Sequence, residues 1–359
     1  MNKLNIFFFL ILFLPACNNP EDARPVDINP PVSGDYQQGI YILNEGNFDW
    51  GVASLSFLHT ETQEIDNLIF RDTNGFELGN VAQSMSIHGD KGYIVVNNSE
   101  KVEIINPYTA EWIGRIRIPG GSPRYMEKIS DNKAYLTELY AGCFWVLDLE
   151  NEVVDKKVDV SGGWTESMVR LGDFVYMTKQ REVRDPEQAD QEILKIDIQS
   201  DKIVDRVTMP PGPSGLVLDK NEKIWVLCNG GLIQKEPTLL QLEPENMTII
   251  QRFAFDNQAA TYPGNLRINP AGDMLYFING GIYAFEITAS QLPQKPIIDA
   301  AKDQIYFALD IDPENGDIYL SDAIDYLQRG LIYQYSAEGS LLLEDKAEVM
   351  PNQFIFWRP

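Results

Sequence analysis

The sequence predicts an all-β chain, a seven-bladed β-propeller closed by a C-terminal strand that completes the first blade. Three observations carry this expectation. A unit of four short strands recurs seven times, turn formers bound each copy, and the one strand missing from the first copy is found at the far end of the chain. The second strand of the unit is the clearest: Gly39-Ile-Tyr-Ile-Leu-Asn44, Gly92-Tyr-Ile-Val-Val-Asn97, Lys133-Ala-Tyr-Leu-Thr137, Phe174-Val-Tyr-Met-Thr178, Lys223-Ile-Trp-Val-Leu227, Met274-Leu-Tyr-Phe-Ile278 and Asp317-Ile-Tyr-Leu-Ser321. Each places an aromatic near its middle among aliphatic and β-branched neighbours, which suits a buried, pleated strand. Third strands follow, as at 102–105, 144–149, 193–198 and 331–335, and then fourth strands, as at 113–118 and 203–209.

The first strand precedes six of the copies, at 83–87, 124–129, 167–171, 214–218, 265–268 and 307–311. Before the first copy it is absent. Pro351-Asn-Gln-Phe-Ile-Phe-Trp357 has the proline-then-apolar form seen at Pro123, Pro213 and Pro263, and supplies the missing strand. Closure of this kind removes the sheet edge that would otherwise template aggregation. From Tyr36 on there are about 46 residues per copy, within the roughly 40–50 of known propeller repeats.

Ahead of the propeller, expected over residues 36–359, residues 1–16 read as a signal peptide. Lys3 precedes the apolar run 6–14, which is an h-region and falls well short of the roughly 20 residues a membrane span requires. Ala16 directly before Cys17 resembles the bacterial lipoprotein processing site, so the expectation is lipidation of Cys17 and membrane contact through that anchor alone. Residues 17–35 are rich in Pro, Asn and Asp, the composition of an extended tether. Glu21 and Asp22 resemble the acidic export signal of lipoproteins displayed on the outer membrane's outer face, which is the expected location.

Of 359 residues, 44% are hydrophobic and 23% charged, ample for a sizeable core. A net charge of -24 repels a phosphate backbone, so nucleic acid is not an expected partner. Two histidines and three cysteines are too few for a His- or Cys-rich zinc site or a disulfide scaffold. Cys143 and Cys228 fall two blades apart and are expected to be buried thiols, while His59 and His88 are expected at the surface, away from the functional face.

In a propeller, turns between first and second strands share one face with turns between third and fourth, and the remaining loops share the other. Here the first kind are plain turn formers, such as His88-Gly-Asp-Lys-Gly92 and Asp219-Lys-Asn-Glu-Lys223. The opposite loops are longer, irregular and aromatic: Glu45-Gly-Asn-Phe-Asp-Trp50, Glu138-Leu-Tyr-Ala141, 179–191 with Arg181 and Arg184, and 322–330 with Tyr326 and Arg329, with Trp164 and Tyr262 at crossings between blades. The candidate ligand-binding residues are therefore Phe48, Trp50, Tyr140, Trp164, Arg184, Tyr262 and Tyr326, with Asn97 and Asn229 at the ends of second strands as amide donors and acceptors. The competing role for each ring is packing between blades, and for the asparagines it is turn capping. No Ser-His-Asp or Cys-His arrangement can be assembled on this face, and Glu45, Asp49 and Asp322 follow no coordinating spacing. The expectation is a binding protein, not an enzyme, with no catalytic residues and no metal.

Tyr41-Ile-Leu-Asn-Glu-Gly-Asn-Phe48, followed by Ala53-Ser-Leu-Ser-Phe57 and later Leu139-Tyr-Ala-Gly142, resembles the YncE-like propeller surface lipoproteins, which include the BtuG-type cobalamin-binding lipoproteins. The resemblance covers the whole mature chain, and its distinguishing motif is concentrated in the first blade. It implies a surface protein that takes a corrinoid, such as cobalamin, as transported ligand rather than cofactor and hands it to a TonB-dependent outer-membrane transporter. The alternative is a propeller module for protein or glycan interaction with no small ligand.

Overall fold

Every residue of the strand Gly39–Asn44 is buried, without the polar alternation of a half-exposed strand. Successive side chains of a strand leave opposite faces. Ile40 and Ile42 enter an apolar cluster with Tyr319, Ile332 and Phe354, whereas Tyr41 and Leu43 enter another with Ile94, Ile105 and Trp357. The strand is thus sandwiched between two neighbouring sheets, and the same holds around a ring. The computed structural model describes residues 36–48, 51–180, 191–230, 236–255 and 262–359, among which seven antiparallel sheets are joined by seven apolar clusters, one for each pair of neighbours. Cys17, the expected lipidation site, lies outside these residues.

First strands line the axis: Pro351–Trp357, Ala82–His88, Pro123–Ser130, Trp164–Leu171, Pro213–Leu218, Gly264–Ile268 and Tyr306–Ile311. Second strands follow at Gly39–Asn44, Lys91–Val96, Lys133–Glu138, Phe174–Gln180, Ile224–Cys228, Met274–Ile278 and Ile318–Asp322. Outermost strands such as Val153–Asp159 and Lys202–Thr208 are largely exposed, and their Lys156, Lys157, Asp205 and Arg206 blunt the free edge against pairing with another chain.

The expected closure is present. Pro351–Trp357 pairs antiparallel with Gly39–Asn44, from Gly39 opposite Trp357 to Asn44 opposite Pro351. It buries Phe354, Ile355 and Trp357, and Arg358 then grips the buried Asp312 with two hydrogen bonds of 2.7 and 2.5 Å. The aromatic of the second-strand motif also has a structural reason. Tyr41 donates its hydroxyl to the Pro107 carbonyl at 2.5 Å, Tyr135 to Asp201 Oδ1 at 2.5 Å and Tyr176 to the Pro244 carbonyl at 2.9 Å. Each acceptor sits in a turn of the following blade, so these phenols staple neighbours together.

Two expectations need correction. The sixth sheet has three strands, Gly264–Ile268, Met274–Ile278 and Ile282–Glu286, instead of four. Where a fourth strand was expected, residues 287–305 pair with the sheet strand-fashion only at one isolated bridge between Ile298 and Ile282, and Pro293 and Pro296 lack the N–H groups a ladder needs. His88, expected at the surface, is half-buried at the end of an axial strand. Its Nε2 has no hydrogen-bond partner among the described residues, and burial, aided by Lys128, lowers its pKa. Cys143 and Cys228 are free and buried as expected, with burial pushing the Cys143 thiol up to about 12.

Candidate functional site

All seven axial strands are irregular at the same place, close to their start. The register against the second strand shifts between Ala82 and Ser84, Pro123 and Met126, Thr165 and Met168, Pro213 and Gly215, Gly264 and Arg267, and Tyr306 and Leu309, and opposite Leu43 and Asn44 in the first blade. A bulge bends a strand, strengthens its twist and re-aims its side chains. It also leaves a backbone N–H without a ladder partner. Tyr125 and Ser167 donate theirs to Thr137 Oγ1 and Thr178 Oγ1, and Ala308 to Ser321 Oγ, each at 2.9 Å. The Thr or Ser that ends the second-strand motif in these blades is therefore the bulge's acceptor.

The bulges turn polar side chains from several blades into one axial cavity of about 350 Å³, lined by Gln83, Arg124, Tyr125, Arg267, Asn352 and Gln353, with Glu45 and Phe307 also in its wall. Cross-links between blades hold these groups. Arg124 forks onto Glu166 at 2.5 and 3.2 Å and also donates to Gln83, whose Nε2 donates to the Tyr125 hydroxyl at 3.1 Å. Arg267 Nε donates to Asp310 Oδ1 at 2.6 Å, while Asp310 Oδ2 accepts the Phe354 N–H at 2.9 Å. Asn352 Nδ2 donates to the Ala82 and Gln83 carbonyls at 3.0 and 3.2 Å. Burial raises the pKa of Glu45, against the opposing pull of Arg124 and a hydrogen bond with Asn352. Preformed donors and acceptors in both charge states face one space, an arrangement suited to recognition.

Further down the Arg124 strand, burial pushes Glu127 up to about 7, with Arg170 opposing. An unfolded glutamate titrates near 4.3. The folded chain therefore holds a proton that the unfolded chain has released, so stability falls as pH rises from about 4 to 7 and levels off above. Glu127→Gln is expected to raise stability at pH 8 by on the order of 2 kcal/mol and to change nothing at pH 4. Urea unfolding at the two pH values checks this, and equal shifts at both would contradict it.

Around the cavity lies the aromatic rim. Phe48, Tyr140, Tyr262 and Tyr326 are 62%, 80%, 47% and 40% exposed, and Val52 and Leu327 lie exposed on the same loops. The other exposed large hydrophobic residues, Ile297 apart, sit on outermost strands. Asn47 Nδ2 donates to the Tyr326 carbonyl at 3.2 Å and Asn80 Nδ2 to the Phe48 carbonyl at 3.0 Å, which fixes these two loops. Tyr326 adopts φ +63°, a costly backbone for a bulky residue, and its ring meets Phe307 of the cavity wall edge-on at 5.9 Å. Trp164 is half-buried at the head of its axial strand. Asn97 is buried and donates Nδ2 to the Pro123 carbonyl at 2.8 Å, stitching the second blade to the third; Asn229 is half-buried, with its backbone N–H donated to the Gly212 carbonyl at 2.8 Å. Trp50 and Arg184 lie outside the described residues. Among the described residues, no three His, Cys, Asp or Glu side chains gather as a metal site would require.

A family model described as a domain of unknown function, DUF5074, matches residues 38–349. The chain belongs to the DUF5074 family. Solved structures similar to this DUF5074 propeller include a quinonprotein alcohol dehydrogenase-like protein from Bacteroides thetaiotaomicron, 14% identical over 90% of this chain and 79% of that one with a TM-score of 0.70. A putative 6-phosphogluconolactonase from Bacteroides fragilis is 14% identical over 90% of this chain and 100% of its own, with a TM-score of 0.61. Hydrazine synthase of Kuenenia stuttgartiensis is 13% identical over 77% and 92%, at 0.60. At such identities the likeness is one of fold. No curated protein matches the DUF5074 chain.

Proposed function

We propose that this DUF5074 propeller is a binding protein rather than an enzyme: its loop face captures a corrinoid such as cobalamin and passes it to a TonB-dependent outer-membrane transporter. Lipid on Cys17 holds it at the cell surface in this reading. The observation that carries it is the rim, where four large rings stand exposed on loops of one face around an amide- and guanidinium-lined cavity. Exposed large side chains outside the outermost strands concentrate on the loops of this one face, which favours a binding role for it. A corrinoid is a broad, partly apolar macrocycle edged with amide arms, so its body suits the rings and its arms suit the polar mouth. The YncE-like opening of the first blade supports the same ligand class.

Titrating residues 36–359 with cyanocobalamin tests the reading. Heat and a visible spectral change at micromolar concentration are expected. Silence in both, together with a protein or glycan that co-purifies irrespective of cobalamin, would make the face an interaction module instead. Tyr140→Ala is expected to weaken binding by about 1–3 kcal/mol while leaving the melting temperature unmoved, because the ring is almost wholly exposed. Unchanged affinity would remove Tyr140 from the site.

A further inference from the structure

We propose that the axial cavity is a receptor for one uncharged primary carboxamide, an arm of the molecule held by the rim above. The proposal rests on the corrinoid reading for the source of that arm, but its chemistry is argued from the cavity alone. Arg124 and Arg267 face it with Glu45, and Glu166 and Asp310 stand directly behind the two guanidinium groups. A carboxylate entering this space would approach three acidic side chains, and an ammonium would meet two guanidinium groups. Either ion would give up its hydration without a compensating field of one sign.

A carboxamide needs no counter-charge. Its carbonyl accepts and its NH₂ donates, so one planar group satisfies both kinds of wall. Donors remain for the carbonyl. Arg267 spends Nε on Asp310 and Nη1 on the Leu266 carbonyl, leaving Nη2 without a hydrogen bond among the described residues. Gln353 accepts the Met85 N–H through Oε1 at 2.7 Å, and its Nε2 makes no hydrogen bond to them. Glu45 supplies the carboxylate oxygens for the NH₂. At about 350 Å³ the cavity is at the small end of ligand pockets and admits an arm, not a macrocycle. Phe307, shared between the cavity wall and the Tyr326 ring, joins this subsite to the rim.

Saturation-transfer NMR with propionamide, propionate, propylammonium and 1-propanol at equal concentration tests the selectivity. Propionamide is expected to give a signal several-fold above the other three, and Arg267→Gln to abolish the difference. Glu45→Gln, which keeps the shape and removes a negative charge, is expected to raise the propionate signal. An ion or the alcohol matching propionamide would overturn the proposal, as would a propionamide signal indifferent to both variants. A second arm identifies the source: cobalamin monocarboxylic acids, each with one amide hydrolysed, are titrated in turn. One acid binding at least tenfold more weakly than the others is expected, and equal affinities for all would overturn the placement of a corrinoid arm here. Propionamide binding without any cobalamin binding would instead sink the corrinoid reading and leave the carboxamide receptor standing.

Discussion

Removing residues 351–359 is expected to abolish the cooperative thermal transition, not merely to lower its midpoint. The segment is the axial strand of the first blade. Phe354, Ile355 and Trp357 are nearly inaccessible, and burial of such side chains contributes about 1.5–3 kcal/mol each, an upper estimate that sums to roughly the lower end of a whole domain's stability. The bidentate Arg358–Asp312 pair is lost with them, leaving a fully buried carboxylate without its guanidinium partner. Worse, Gly39–Asn44 becomes an open edge and Ile40, Ile42 and Tyr319 lose the cover of Phe354. Scanning calorimetry decides the matter. A single transition within a few degrees of the full chain would show that the ring holds without its clasp.

Glu138→Ala should have the largest effect of any single change near the rim. Glu138 is fully buried at the end of a second strand, where its carboxylate accepts the Ser122 N–H at 2.8 and 2.9 Å, the Tyr140 and Ala141 N–H groups at 3.1 and 3.3 Å, and Trp145 Nε1–H at 2.8 Å. One side chain thus ties the crossing from the second blade to the loop that carries Tyr140. Alanine strands these donors, and a buried donor left without an acceptor costs about 1–3 kcal/mol, so a total on the order of 3–4 kcal/mol is expected. Ligand affinity should fall as well in the molecules that remain folded, since Tyr140 loses its mount. Glu138→Gln, which keeps acceptor oxygen but sets an NH₂ against the donors, should fall between. Chemical unfolding paired with titration measures both effects, and a stability loss below 1 kcal/mol for the alanine variant would show that water replaces the carboxylate.

The repeat was legible because one physical demand acts seven times. A strand buried on both faces must be apolar throughout and must carry a ring that reaches the next blade, as Tyr41, Tyr135 and Tyr176 do. The clasp was legible because Pro351 to Trp357 repeats the form of the other axial strands. The sixth blade was misjudged because its strand count depends on Pro293 and Pro296 in a segment that still carries Ile297 and Ile298. The cavity was not legible. Gln83, Arg124, Arg267 and Asn352 come from separate blades and meet through bulges, which recur at one place in each axial strand but carry no common residue there. The sequence places Glu138 in a loop and offers Asn97 as a ligand contact or a turn cap; in the fold both side chains are buried connectors, because the end of a second strand is where two loops need tying. The Tyr-x-Thr or Tyr-x-Ser ending of three motifs was the one local trace of the bulges.

Gly39 lies opposite Trp357, at the end of its strand remote from the rings, and Tyr36 enters from that side. Whatever grips the residues before Tyr36 therefore grips the molecule by its base, like the foot of a goblet. The bowl with Tyr140 and Tyr326 then stays clear of that grip, and under the proposed function a receiver would have to reach over its lip or the goblet would have to tilt.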